Sequence, residues 1–383
     1  MVRSQGPIPP GTPEPSGPQP GSPQPSSPEP GTPQPGSPEP GTPRPAPRAP
    51  ARDTRVVGAD AQGLTRAARR LKAGGLVAFP TETVYGLGAD AANPHAVAAL
   101  YAAKGRPAFN PLISHLADRE QAFALGAFSP AARRLAEAFW PGPLTLVVPY
   151  AGGGRVCDLA RAGLDTIALR VPAHPLAQAL IAAFGGPVVA PSANRSGHVS
   201  PTTPEHVLDD MAGLIDLVMA GGETRVGVES TILDLTGGAP RLLRPGGLTR
   251  DTIEARLGAP LADAAPGDAV RPAAPGRLAS HYAPRARVRL EADAVAPGEA
   301  LLTFAGARPP GSADAATILD LSPGGDLAEA AAHLYGALRR LDASGAPAIA
   351  VVPLPRAGLG EAIADRLARA AAPRPSSNDE PQP

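Results

Sequence analysis

The sequence predicts an α/β fold, a twisted mixed sheet with flanking helices, followed by a smaller sheet built of βα units. Three observations lead there. Short apolar runs of strand length are interspersed with helical stretches, and some runs follow one another directly, which mixes parallel with antiparallel neighbours. Helices open repeatedly on one device, a polar N-cap followed by proline, at Asn93-Pro94, Ser129-Pro130 and Thr203-Pro204. Toward the C-terminus, strands and helices alternate more regularly, in a Rossmann-like outline without a Gly-x-Gly-x-x-Gly fingerprint.

The chain has 383 residues, enough for two domains, with 51 Pro and 43 Gly. Much of the proline lies in residues 1–52, in repeats such as Gly-Thr-Pro-Glu-Pro. Nearly devoid of apolar side chains, this segment cannot offset its ordering entropy by burial and reads as an extended tail. The first folded domain spans 54–257. Its expected helices are Thr65 to Lys72, His95 to Ala103, Pro130 to Phe139 and Pro204 to Met211. Its expected strands are Gly75 to Phe79, Leu112 to Ser114, Leu144 to Val148, Thr166 to Val171, Val188 to Ala190, Leu217 to Met219 and Thr231 to Leu235. Residues 258–284 read as a Pro/Ala/Gly-rich linker ending in Ser280-His281-Tyr282-Ala283-Pro284. A second domain follows over 285–372, with strands near Val288, Ala300, Thr317 and Ala348, helices from Leu327 and Leu359, and a polar tail over 373–383.

The formal net charge is zero and aromatics make up 3%, which disfavours a dedicated nucleic-acid binder. One cysteine, Cys157, excludes an internal disulfide framework and a multi-cysteine zinc site. No apolar run approaches the roughly 20 residues of a membrane helix. A cytoplasmic location is the expectation.

The strand at Gly75 to Phe79 ends on Pro80-Thr81-Glu82-Thr83-Val84-Tyr85-Gly86-Leu87-Gly88, a crest of hydroxyls, one carboxylate and glycines at a place where α/β proteins bind ligands. The pattern recurs. Val188 to Ala190 runs into Pro191-Ser192-Ala193-Asn194 and on to Ser200. Glu229-Ser230 precede another strand, and Arg244 ends one. Arg170 lies within an apolar strand and needs an anionic partner, a structural carboxylate or a ligand; alternation puts Thr166 on its face. Lys104-Gly105-Arg106-Pro107 reads either as a helix C-cap or, with Asn110 and His115, as donors for a phosphorylated ligand. Several strand ends carrying polar or cationic groups favour one shared anionic pocket. Glu82 and Glu229 form a carboxylate pair only if the fold joins them. Residues His198, His206 and His281 show no metal spacing, and there is no P-loop.

Taken together, Phe79 to Gly88, Lys104 to Pro107, Asn110-Pro111-Leu112, Trp140-Pro141-Gly142, Leu169 to Pro172, Pro191 to Asn194, Glu229-Ser230-Thr231 and Arg244-Pro245-Gly246 resemble, in order, the YrdC/Sua5 family of threonylcarbamoyl-AMP synthases. The linker and second domain resemble its longer, Sua5-type members. The resemblance implies a YrdC-like catalytic domain with a small C-terminal Sua5 domain. It implies a nucleotidyltransferase that forms L-threonylcarbamoyladenylate and pyrophosphate from L-threonine, bicarbonate and ATP, for t6A modification of tRNA.

It also implies a threonine-binding set of Thr83, His115, Arg170, Ala190 and Ser230. The implied ATP set is Arg106, Asn110, Thr166, Ser192, Ser200, Arg244 and Tyr282, with Tyr282 making the linker a lid. Lys104 and Arg106 would supply charge to the reacting phosphates, and Mg2+ would accompany ATP, with no tightly bound cofactor. The product would pass to the tRNA threonylcarbamoyltransferase machinery, with direct tRNA binding weak or absent. Ala108-Phe109 departs from the more polar residues usual in relatives, which bears on local phosphate contacts. Two other readings are an RNA-binding module and a carbamoyltransferase of the hydrogenase-maturation type; the latter needs zinc-binding cysteines that a chain with one Cys lacks.

Overall fold

The computed structural model describes residues 52–264 and 280–373. The proline-rich tail lies outside them except for Arg52, as do residues 265–279 of the linker and the polar tail beyond 373. Arg52 itself is anchored: its amide donates to the Gly213 carbonyl at 2.8 Å and its guanidinium pairs with Asp216.

The first part of the chain forms β1 (Arg55–Gly58), α1 (Ala61–Lys72), β2 (Val77–Pro80), β3 (Tyr85–Asp90), α2 (Pro94–Lys104), β4 (Ile113–His115), α3 (Arg119–Leu125), α4 (Pro130–Phe139) and β5 (Leu144–Pro149). It continues with β6 (Thr166–Arg170), α5 (Pro175–Phe184), β7 (Val188–Val189), α6 (Pro204–Met211), β8 (Leu217–Ala220), β9 (Thr231–Asp234), β10 (Arg241–Arg244), α7 (Arg250–Leu257) and β11 (Ala262–Asp263). Among the described residues these strands make one mixed sheet in the order β1-β8-β2-β3-β7-β4-β6-β5-β9-β10-β11.

The N-cap and proline device works as expected. Side chains of Asn93, Ser129 and Thr203 accept from backbone amides in the first turns of α2, α4 and α6. α5 opens the same way on His174-Pro175, with His174 accepting from the Leu176 amide. Sequence reading passed over α5 because histidine is not among the usual N-caps. It also passed over β1, α3, α7 and β11, the last a short parallel strand beside β10 inside the expected linker.

β2 shows why its short apolar run is a central strand. Alternate residues face different cores, Ala78 joining the cluster of Leu87, Val97 and Leu100, while Val77 and Phe79 join that of Leu71, Leu180 and Met219. The polar crest is shorter than its sequence suggests. Residues 81–84 form a turn, and Tyr85 begins β3, which runs back antiparallel to β2. Gly86 serves close approach: a Cβ there would lie 3.1 Å from that of Ala190.

The second part forms β12 (Arg287–Arg289), β13 (Ala300–Thr303), β14 (Thr317–Asp320), α8 (Leu327–Ala343), β15 (Ala348–Val351) and α9 (Leu359–Ala371). Its strands are all parallel in the order β12-β15-β13-β14. It docks through a shared core in which Val84, Val199 and Val228 of the first part pack with Tyr282, Leu334, Tyr335 and Ile363. Gly227 sits where the two parts approach closely, with φ +74°: a Cβ there would fall 2.3 Å from the Ala331 carbonyl oxygen of α8. Gly227→Ala therefore costs both backbone strain and the docking contact. A loss of about 2 kcal/mol or more is expected, read as a lower urea midpoint for the full-length chain.

Candidate active site

The strand ends meet at one cavity of about 40 Å³, lined on one side by Thr83, His115, Arg170, Ala190 and Ser230 and on the other by Arg106, Ser192, Arg244 and Tyr282.

The turn at 81–84 is locked by its own hydroxyls. Thr81 Oγ1 donates to the Val84 carbonyl at 2.7 Å and lies 2.8 Å from Thr83 Oγ1. The amides of Val226 and Gly227 close over it, donating to the carbonyls of Glu82 and Thr83 at 2.9 and 3.1 Å. Arg170 finds its anion inside the protein. An Nη of Arg170 donates to Glu82 Oε1 at 2.7 Å and to Thr83 Oγ1 at 3.0 Å, and Glu82 Oε2 accepts from the Ala173 amide. The anionic partner left open by the sequence is thus a structural carboxylate. Arg170 Nε is buried and has no partner among the described residues.

His115 and His281 both line the cavity and both stay neutral. Burial is the first cause and takes each from 6.5 to about 3. Arg170 adds to the effect at His115. At His281, Glu229 pulls upward, opposed by Arg106, Lys104 and Arg244. Burial also lowers Arg106, to about 10. Its guanidinium donates to the carbonyls of Asn110 and Pro111 at 3.1 to 3.3 Å. Arg244 holds the opposite wall through the Ser230 carbonyl at 2.8 Å and its hydroxyl at 3.2 Å.

Several expected residues stand elsewhere. Lys104 is not on the cavity wall. Its ammonium donates to the carbonyls of Ser192 and Asn194, and burial, then Arg106, hold its pKa well below the usual lysine range. It braces the loop that carries Ser192 instead of facing the cavity, because a buried ammonium at the end of α2 meets those carbonyls first. Ser200 donates to Glu229 Oε1 at 2.6 Å and is likewise off the wall. Thr166 lies at the far end of β6, four residues from Arg170, so sharing a face did not bring it to the same cavity. Asn110 is fully buried, and neither its amide oxygen nor its nitrogen has a partner among the described residues. Tyr85, from the crest, turns away and donates to the Gly222 carbonyl at 2.7 Å.

Glu229 and His281 are wall residues that the family resemblance did not assign; the sequence counted Glu229 among the polar strand ends and weighed His281 only for metal spacing. Glu82 and Glu229 do not form a carboxylate pair: each has its own arginine, Glu229 accepting from Arg366 Nε of α9 at 2.7 Å and from the Tyr335 hydroxyl of α8 at 2.8 Å. Burial alone would raise the Glu229 carboxyl, but Arg366, Arg244 and the bonds from Ser200 and Arg366 bring it down to about 2. Among the described residues no cluster of three or more His, Cys, Asp or Glu suits a metal ion. With Glu229 so engaged, the lining does not fit a resident Mg2+.

A mixed α/β sheet with a cation-rich cavity at its strand ends, capped by a small parallel domain, defines a YrdC-type ligand-binding protein with an appended domain. Comparison with known proteins makes this specific. The sequence model of the Sua5/YciO/YrdC family, described as "Telomere recombination", matches residues 69–246, and that of the threonylcarbamoyl-AMP synthase C-terminal domain matches 248–372. The threonylcarbamoyl-AMP synthase of Pyrococcus abyssi is 44% identical over 79% of this chain and 92% of its own length. That of Bacillus subtilis is 41% identical over 81% and 93%. The crystal structure of P. abyssi Sua5 complexed with L-threonine superposes with a TM-score of 0.74, at 39% identity over 83% of this chain and 97% of that one. The chain belongs to the Sua5-type threonylcarbamoyl-AMP synthase family.

The two histidines set an acid limit on stability. Between pH 3 and 6.5 the unfolded chain binds protons that folded His115 and His281 refuse. Stability therefore falls as pH drops below 6.5, by about 1.4 kcal/mol per pH unit per histidine, and is unaffected by them above it. Urea unfolding at a series of pH values checks the slope, and His281→Gln should roughly halve the contribution of this pair.

Proposed function

We infer that this chain is a threonylcarbamoyl-AMP synthase that works on L-threonine, bicarbonate and ATP, releasing pyrophosphate and supplying the activated threonylcarbamoyl group for tRNA modification. The observation that carries this reading is the convergence on one cavity of Thr83, His115, Arg170, Ala190 and Ser230 with Arg106, Ser192, Arg244 and Tyr282. The L-threonine held by the P. abyssi relative supports the same substrate here.

The reaction needs no covalent protein intermediate. Bicarbonate takes up a proton and releases water to give CO2; the threonine amine attacks CO2 and loses a proton, giving a carbamate; a carbamate oxygen attacks the α-phosphorus of ATP, and pyrophosphate leaves. Thr83 and Arg170 suit the substrate carboxylate, with Arg170 Nε still available for it. Neutral His115 and Ala190 form the uncharged side of that pocket. Arg106 and Arg244 face developing phosphate charge, and Ser192 and Tyr282 complete the nucleotide side. The two unpartnered amide atoms of Asn110 suit a nucleotide group that donates and accepts. Lys104 acts from behind, holding the Ser192 loop in register. Tyr282 and His281 on the cavity wall suit the linker end to the role of a lid, and Mg2+ would arrive on the phosphates of ATP. No helix among the described residues is long and apolar enough to cross a membrane, and we place the enzyme in the cytoplasm.

Pyrophosphate release from ATP should require both threonine and bicarbonate; tight tRNA binding without threonine-dependent release would overturn the assignment. Arg170→Lys keeps a charge for Glu82 but loses Nε. It should raise the threonine KM about tenfold or more while changing the ATP KM by less than about twofold. Equal effects on both substrates would remove the assigned role.

A further inference from the structure

The second domain meets the catalytic cavity at a buried carboxylate. Glu229 lines the cavity and accepts from Arg366 on α9, Tyr335 on α8 and Ser200 of the first domain. Arg366 is completely buried, with a second nitrogen bonded to Asp365 at 2.6 Å and its guanidinium carbon 5.2 Å from the centre of the Tyr282 ring. Tyr335 stacks on Tyr282 at 5.6 Å between centroids and 28° between planes. One cluster thus ties Glu229 to Tyr282 on the cavity wall.

The segment around Glu229 belongs to the substrate pocket on its other side. Gly227 donates to the Thr83 carbonyl while its Cα presses on α8. Ser230, the next residue after Glu229, is held by Arg244 and faces Thr145 at 2.8 Å. Residues 227–230 are therefore clamped between the second domain and the turn that carries Thr83.

We propose that Arg366 is a positioning residue: through Glu229 it fixes Ser230, Ser200 and Tyr282, so that the second domain sets the geometry of the substrate pocket in the first. The inference rests on the reaction assigned above. A buried ion pair is a poor device for mere adhesion, since apolar side chains of similar volume hold domains together as well. Adhesion is already supplied by the shared apolar core and by the peripheral pair Arg250–Glu361, at 2.8 Å and partly exposed. What a charged, multiply bonded carboxylate adds is a fixed orientation.

The test compares full-length wild type with Arg366→Lys, Tyr335→Phe and the peripheral variant Glu361→Gln. Threonine- and bicarbonate-dependent pyrophosphate release and L-threonine binding by calorimetry are both measured. Arg366→Lys should raise the KM values and the threonine Kd about tenfold, with a smaller change in kcat, and Tyr335→Phe about threefold. Glu361→Gln should stay within about twofold of wild type. Values for Arg366→Lys and Tyr335→Phe within about twofold, or an equal rise in Glu361→Gln, would overturn the proposal. If Arg366→Lys does not fold, Tyr335→Phe decides. If wild type releases no pyrophosphate, the assigned reaction fails, and the threonine Kd series still decides the positioning role.

Discussion

Four basic side chains, Lys104, Arg106, Arg170 and Arg244, are buried at one end of the first sheet, and satisfying them is the constraint on which the rest of the site depends. Basic groups out of water need acceptors. Lys104 takes two loop carbonyls, Arg106 takes those of Asn110 and Pro111, Arg170 takes Glu82, and Arg244 takes Ser230. Each bond fixes a piece of wall: the Ser192 loop, the Asn110 turn, the Thr83 turn and the Ser230 lip. The pocket is thus the by-product of neutralising its own cations, and the positive field left over suits a substrate bearing a carboxylate and phosphates.

The two acidic residues of the site divide the labour. Glu82 stays within the first domain and orients Arg170 toward Thr83. Glu229 looks outward and is met by α8 and α9. The same residue type therefore builds the pocket in one place and couples it to a second domain in the other. Keeping both histidines of the wall neutral follows from the same crowding, since a further positive charge there would sit among cations.

Much of the fold was legible because its signals are local. Proline after Asn, Ser or Thr marked helix starts, and apolar runs marked most strands to within a residue or two. The exceptions have physical reasons. His174 caps a helix from outside the common set, and Tyr85 to Asp90 looked like a glycine-rich crest because its glycines admit Ala190 and Phe79 as close neighbours. Strand-end chemistry likewise pointed to one anionic pocket, and the ordered motifs named many of the residues that line the cavity, while Lys104, Thr166 and Ser200 stand off it and Glu229 and His281 join it.

By itself, the sequence determined most element types, the family and many of the residues that line the cavity, since these depend on neighbours a few positions apart or on motifs in order. Tertiary structure decided which partner each charged group takes. Arg170 could have awaited a ligand but lies beside Glu82, 88 positions away; Lys104 turns from the cavity to carbonyls 88 and 90 positions on; Glu229 meets Arg366 at a separation of 137. Such pairings follow from sheet order and domain docking, and no local pattern encodes them.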